Sequence, residues 1–375
     1  MQRREFLMSA TALAGAAALP SSLLAADTPH WAPYRDAFVV DACGAAGGGN
    51  SLNAKHPLLV DDEVADAKRS GVTLINYTVG TVGSYADDYR KTLDNISFWD
   101  QEFAKRPDVL QKITSGAQLA DLKKSGRIGI VYGFQDTTMY GENLDRFDLF
   151  HNFGVRIVQL TYNRRNLMGD GCLEPGNAGL SKLGRDMVAL MNERGSLVDL
   201  SHCGQRTTHE GIEASKKPVA ITHSGCTALA DMPRNKRDEE LKLLADRGGV
   251  VGIYIMPYLR AQGQVMADDV ISHIEHAVNV CGEDHVGIGT DGATSAVDIT
   301  PEFKKEFAEE IAERQRRGIS APGERPDSYT FALDLNTPNR FEIIAAKLSA
   351  RGYSDARIGK ILGGNFQRLF RDVIA

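Results

Sequence analysis

From about residue 36 onward, short runs of β-branched and other apolar residues alternate with longer charged segments in which apolar residues recur every three to four positions. These are the patterns of a strand buried on both faces and of a helix with one buried face, and their alternation predicts βαβ units around a parallel sheet. The runs read as strands are 38–41, 72–78, 128–134, 156–161, 197–201, 219–222, 250–255 and 286–290, which makes eight. Helical patterns lie between them, as at 184–194, where Met187, Leu190 and Met191 share a face, and at 268–280. Eight such strands, nearly all ending on a polar residue, predict a (β/α)8 barrel rather than an open doubly wound sheet. Residues 301–335 are charged, then rich in Gly and Pro, and read as an excursion from the barrel. Helical patterns at 340–350, 354–362 and 365–373 close the chain.

The first residues stand apart from this pattern. Gln2-Arg3-Arg4-Glu5-Phe6-Leu7, followed by a small and apolar stretch from Ser9 to Leu24, looks like a twin-arginine export signal with cleavage near Ala25 or Ala26. The stretch is shorter than the roughly 20 residues that span a bilayer, and Pro20 interrupts it. The expectation is a signal over residues 1–26, a single barrel domain over 27–375 and a periplasmic location. A net charge of -6, a pI near 5.9 and the lack of a Lys/Arg block argue against nucleic acid as a partner. Small-molecule substrates are expected instead, and a homodimer is compatible with the chain. Cys43, Cys172, Cys203, Cys226 and Cys281 are scattered, and an odd number in an oxidising compartment leaves at least one thiol unpaired.

In a barrel the chemistry gathers where strands end. The polar residues there are Asp41 and Cys43, Gln135 and Asp136, Tyr162, His202 and Cys203, His223, and Asp291. His202 and His223 follow consecutive strands, and imidazole is the commonest protein ligand for transition metals. Asp291 is the natural acid/base candidate, as ligand, base or proton shuttle. Gly287-Ile288-Gly289-Thr290-Asp291-Gly292 matches the dinucleotide pattern G-x-G-x-x-G. It runs on through Ala293-Thr294-Ser295 toward Pro301 without opening a clear helix, so it is not read as a cofactor loop.

Val198-Asp199-Leu200-Ser201-His202, Ile221-Thr222-His223-Ser224, Pro233-Arg234-Asn235, Gly287-Ile288-Gly289-Thr290-Asp291 and Gly364-Asn365-Phe366-Gln367-Arg368 occur in an order and spacing that resemble the membrane (renal) dipeptidase family, peptidase M19-like. The similarity covers nearly all of the chain after the signal. The resemblance implies a (β/α)8 barrel that binds two zinc ions and hydrolyses dipeptides, often with a D-residue on the C-terminal side. It also implies that His202 and His223 hold a metal, that Arg234 takes the substrate carboxylate and that Asp291 acts near the scissile amide. A planar guanidinium suits a carboxylate because it binds both oxygens at once.

The departures from the family pattern are as informative. After the first strand the family carries His-x-Asp; this chain has Cys43 and Ala45 at those positions. The bridging glutamate is matched by Gln135 and a histidine after the fourth strand by Tyr162. A neutral Gln135 does not offset a pair of divalent cations roughly 3.5 to 4 Å apart. One ion is a different case: Cys43 as thiolate, His202, His223 and Asp291 make a four-ligand set suited to Zn2+. The leading expectation is therefore a one-metal hydrolase of dipeptides or similar small amides, with Tyr162 donating to the tetrahedral oxyanion. The missing acidic ligands at Ala45 and Gln135 motivate a second reading, a periplasmic binding or maturation protein. A third gives the Cys/His site a redox-active copper or iron and makes the chain an oxidoreductase.

Overall fold

The computed structural model describes residues 30–47, 59–83 and 85–375. The export signal expected over 1–26 lies outside them. Eight parallel strands, β1 Val40–Asp41, β2 Leu74–Thr78, β3 Ile128–Phe134, β4 Val155–Gln159, β5 Leu197–Asp199, β6 Ala220–Ser224, β7 Val250–Ile253 and β8 Val286–Ile288, pair in chain order. Ala42 N donates to Ile288 O at 3.0 Å, which brings the last strand back to the first. With helices following the strands, the chain is a (β/α)8 barrel.

Every residue of these eight strands is buried, which is why their sequences run apolar without alternation. Several strands stop short of the expected end. Ser201, Ile255 and Thr290 lie just past the ends of β5, β7 and β8. A strand not expected from the sequence, Leu110–Ile113, pairs with residues 128–131 of β3, ahead of the stretch from Tyr132 that pairs with β4; its two central residues, Gln111 and Lys112, are only partly buried. Gly252 and Gly289 carry no Cβ for a steric reason: one built on them would lie 2.0 and 2.1 Å from Thr222 O. In the G-x-G at 287–289, Gly289 thus serves close approach to β6, while Gly287 makes room for the Phe366 ring, 2.5 Å from where its Cβ would stand.

The floor of the barrel is a separate apolar cluster in which Val40, Leu74, Ile157, Leu197 and Val250 meet Phe366, Leu369 and Phe370 of the C-terminal helix Asn365–Val373. Asn365 Nδ2 ties that helix to β8 by donating to Glu283 O and Val286 O, each at 2.8 Å. With the floor plugged, the opposite end is the one open to solutes. The excursion forms its wall. The helix Pro301–Arg316 starts with Pro301 in its first turn and with Thr300 Oγ1 accepting from Phe303 N at 3.1 Å. Its Phe303 and Phe307 pack on Tyr329, which stacks on Phe331 at 5.4 Å. No helix among the described residues is long and apolar enough to cross a membrane.

Candidate metal centre at the barrel mouth

A cavity of about 300 Å³ opens at the strand C-terminal ends, with Cys43, Gln135, Tyr162, His202, Arg234 and Asp291 in its lining. His223 lies beneath them with no exposure. Asp291 sits directly after β8 in the left-handed region, with φ 55, and its N–H donates to Cys43 O at 2.7 Å. That conformation is uncommon for a residue with a side chain and is held by the short parallel pairing of Gly292–Ala293 with Gly44–Ala45. Asp41 reinforces the corner, accepting from Thr290 N and Oγ1 at 2.8 and 2.6 Å. Burial pushes the Asp41 carboxyl up to about 7 against these bonds.

The two histidines have defined tautomers. Asn163 Nδ2 donates to Ile319 O at 2.9 Å, so its Oδ1, 2.6 Å from His202 Nδ1, accepts the proton there. On the other ring, Thr222 Oγ1 spends its own proton on Asp199 Oδ2 at 2.6 Å and therefore accepts from His223 Nδ1 at 2.8 Å. Asp199 is fixed in turn by Ser201 N, Ser201 Oγ and Thr222 N. Both Nε2 atoms are left with lone pairs, and they face each other at 2.9 Å. Burial, with Arg234 next in weight, holds both imidazoles well below the ordinary histidine range, so no shared proton relieves this contact. Two facing lone pairs with no proton between them suit a cation.

Cys43, His223 and Asp291 complete the donor set: their ligand atoms all lie within 4.8 Å of one another. That is slightly wider than the about 3.3 to 3.8 Å between ligands of a tetrahedral zinc with bonds of about 2.0 to 2.3 Å. The expected fourth ligand, His202, touches His223 but also accepts from Arg234 Nη2 at 3.0 Å. Gln135 Nε2 donates to Cys43 Sγ at 3.0 Å and to Asp291 Oδ1 at 3.4 Å. Burial is the main force raising the Cys43 thiol well above its usual range, and Asp291 adds to it. A cation at this point would offset the charge of thiolate and carboxylate together. The residues present therefore fit a divalent cation.

A model of the membrane dipeptidase family, peptidase family M19, matches residues 49–322. The chain belongs to the membrane dipeptidase family. Its similarity to the dipeptidase tcpJ of Claviceps purpurea is 30% identity over 62% of this chain and 56% of the relative. To the uncharacterized dipeptidase C965.12 of Schizosaccharomyces pombe it is 33% over 54% of this chain and 50% of the relative. The match thus spans about half the length of these relatives. Among solved structures, an amidohydrolase from Pseudomonas aeruginosa superposes with a TM-score of 0.75 and 32% identity, covering 91% of this chain and 98% of the other. Membership of this family implies a divalent metal, typically zinc.

Within this dipeptidase-family barrel, the strand-end residues fall into two groups. Cys43, Gln135, Tyr162, His202, His223, Arg234 and Asp291 converge. Tyr162 stacks on His202 at 4.2 Å, and Arg234, only 1% exposed, donates to Ser201 O at 2.8 Å as well as to His202. Ala45 stands in the short mouth strand and offers no ligand atom. Asp136 and Cys203 do not join the group: Asp136 accepts from Gly83 N and Asn166 Nδ2, and the Cys203 thiol meets Thr161 Oγ1. All five cysteines carry free thiols. Sequence reasoning missed Asn163, Thr222 and Asp199, which set the tautomers, although the last two stand inside the quoted motifs.

It also missed the anchor of the excursion. Glu324 accepts from Arg314 Nε and Nη2 at 2.6 and 2.9 Å, from Tyr258 Oη at 2.7 Å and from Ala321 N at 3.1 Å. Arg314 Nη2 also reaches Tyr162 Oη at 3.4 Å, so the pair links the excursion to the site. Burial pushes the Glu324 carboxyl up, yet Arg314 and the other donors outweigh it and hold it below the ordinary range. Glu324→Ala leaves the guanidinium, 23% exposed, without its carboxylate. The expected cost is about 3 kcal/mol, read as a lower urea midpoint. An unchanged midpoint would mean that the pair does not hold the excursion.

Proposed function

We propose that this protein is a metal-dependent hydrolase of dipeptides or closely related small amides, working with one divalent ion, most simply Zn2+, rather than two. The observation that carries the reading is the pair of imidazole lone pairs facing each other at 2.9 Å beside Cys43 and Asp291. His223, Cys43 and Asp291 would hold the ion, and His202 would join by exchanging its bond from Arg234. When bound, the ion supplies a Lewis acid for the amide carbonyl and lowers the pKa of bound water toward about 7. A second ion has no support here, since Ala45 is no ligand and Gln135 directs N–H groups, not a carboxylate, at Cys43 and Asp291.

The side chains then divide the remaining work. Burial raises the Asp291 carboxyl, which suits it to take a proton from water and return it to the leaving amine. Tyr162, whose phenol burial keeps protonated, accepts from Arg314 and has its own proton left for an oxyanion. Arg234 Nε is buried without a partner among the described residues, and once His202 serves as ligand, Nη2 is released as well. Both can then meet a substrate carboxylate, whose fixed position orients the amide.

Exhaustive chelation followed by titration tests this directly. Hydrolysis across a dipeptide panel should fall at least about a hundredfold in the stripped protein and return at one equivalent of Zn2+ per chain. Turnover indifferent to chelation would end the metal reading. Recovery that requires two equivalents would end the one-ion reading.

A further inference from the structure

Three arginines reach the cavity, and among the described residues Arg314 alone is held in an ion pair. Arg314 is paired with Glu324, and Arg234 lies against Ser201 O and His202. Arg340 is 5% exposed and forms no ion pair among the described residues. Its Nε donates to Thr337 O at 3.0 Å and its Nη2 to Ser295 O at 3.3 Å. Nη1 donates to nothing among the described residues and lies 3.4 Å from where a Cβ on Gly292 would stand. Beside it Ser295, also in the cavity lining, carries a buried hydroxyl with no partner among the described residues. The oxygens of nearby Asp41 are committed to Thr290 and to Cys43 N. Burial draws the Arg340 guanidinium down to about 10, with Asp41 opposing, so it stays charged at neutral pH. Glu310 also lines the cavity but is exposed, where solvent screens it.

A buried guanidinium with a free N–H beside an unpartnered hydroxyl is half of an anion site. Arg340 stands on the β1 and β8 side of the mouth, against Gly292 and Ser295; Arg234 stands on the β5 side, against Ser201 and His202. In a ring of eight strands those sides face each other, with Asp291 and the metal donors between them. We propose that Arg340 and Ser295 form a second anion subsite, and that the substrate is an amide whose N-terminal residue carries an acidic side chain. This rests on the hydrolase reading for its orientation: with the C-terminal carboxylate at Arg234, the acyl end of the substrate extends toward Arg340.

The test uses two peptides of nearly equal shape that differ by one charge, L-glutamyl-L-alanine and L-glutaminyl-L-alanine, with the metal-loaded protein. In the wild type the KM of the glutamyl peptide should be about tenfold lower or more, the size expected for one charge-assisted contact. In Arg340→Gln that ratio should collapse toward one, and Arg340→Lys should recover part of it. Ser295→Ala leaves every backbone bond of Arg340 in place and should reduce the ratio about threefold, which keeps the test valid if Arg340→Gln fails to fold. A wild type without preference for the acidic peptide, or a preference that survives Arg340→Gln and Ser295→Ala, would overturn the proposal. If neither peptide is cleaved, the hydrolase reading fails on its own. The subsite is then read as the ratio of calorimetric Kd values, and equal values for the two peptides overturn it.

Discussion

Replacing His223 by alanine is expected to strip the chain of its ion and to cut dipeptide turnover on the order of 10³-fold or more. The reason lies in how unevenly the two imidazoles are served. The His202 lone pair has a donor inside the protein, Arg234 Nη2 at 3.0 Å, whereas the His223 lone pair has none among the described residues. His223 is also the histidine whose ligand atom falls within 4.8 Å of both Cys43 and Asp291. His202→Ala leaves that triad standing and should retain a weakly held ion with partial activity. Metal content per chain after gel filtration, measured beside kcat/KM and a urea midpoint, separates loss of the ion from loss of the fold. A His223→Ala protein that keeps one ion and near-normal turnover would move the centre elsewhere.

The barrel was legible because its strands are buried on both faces, so β3, from Ile128 to Phe134, runs apolar with no polar interruption. The strand Leu110–Ile113 escaped because Gln111 and Lys112, only partly buried, break that rule. Strand ends pointed to much of the cavity lining for a similar reason: a polar residue after a fully buried strand can reach the mouth. Direction is the part that stays hidden. Asp136 follows β3 as Gln135 does, but neighbouring side chains point to opposite sides, and Asp136 turns to Gly83 and Asn166. Arg314, Glu324 and Arg340 were beyond reach because they arrive from the excursion and the helix after it, where no period of the sequence points toward the barrel axis.

The second large effect concerns a residue that touches neither metal donor atoms nor cavity. Asp199→Asn is expected to lower metal affinity about 10- to 100-fold, the range seen when a group that orients a ligand is lost. Asp199 is buried, and its two oxygens accept from four groups, Ser201 N, Ser201 Oγ, Thr222 N and Thr222 Oγ1. An amide accepts on one side alone. If its oxygen stays with the two backbone N–H groups, its NH2 faces Thr222 Oγ1, and the threonine proton must turn away. The nearest acceptor is His223 Nδ1 at 2.8 Å. Once that nitrogen accepts, the imidazole proton moves to Nε2, and the lone pair aimed at the ion is gone. The effect therefore depends on the hydroxyl between them. Thr222→Val, which removes the proton in dispute, should make Asp199→Asn nearly silent toward metal affinity when the two changes are combined. Competition with a chromophoric chelator reads the affinity. Losses that simply add in the double variant would show that Asp199 acts through the packing of β5 against β6 and not through the tautomer of His223.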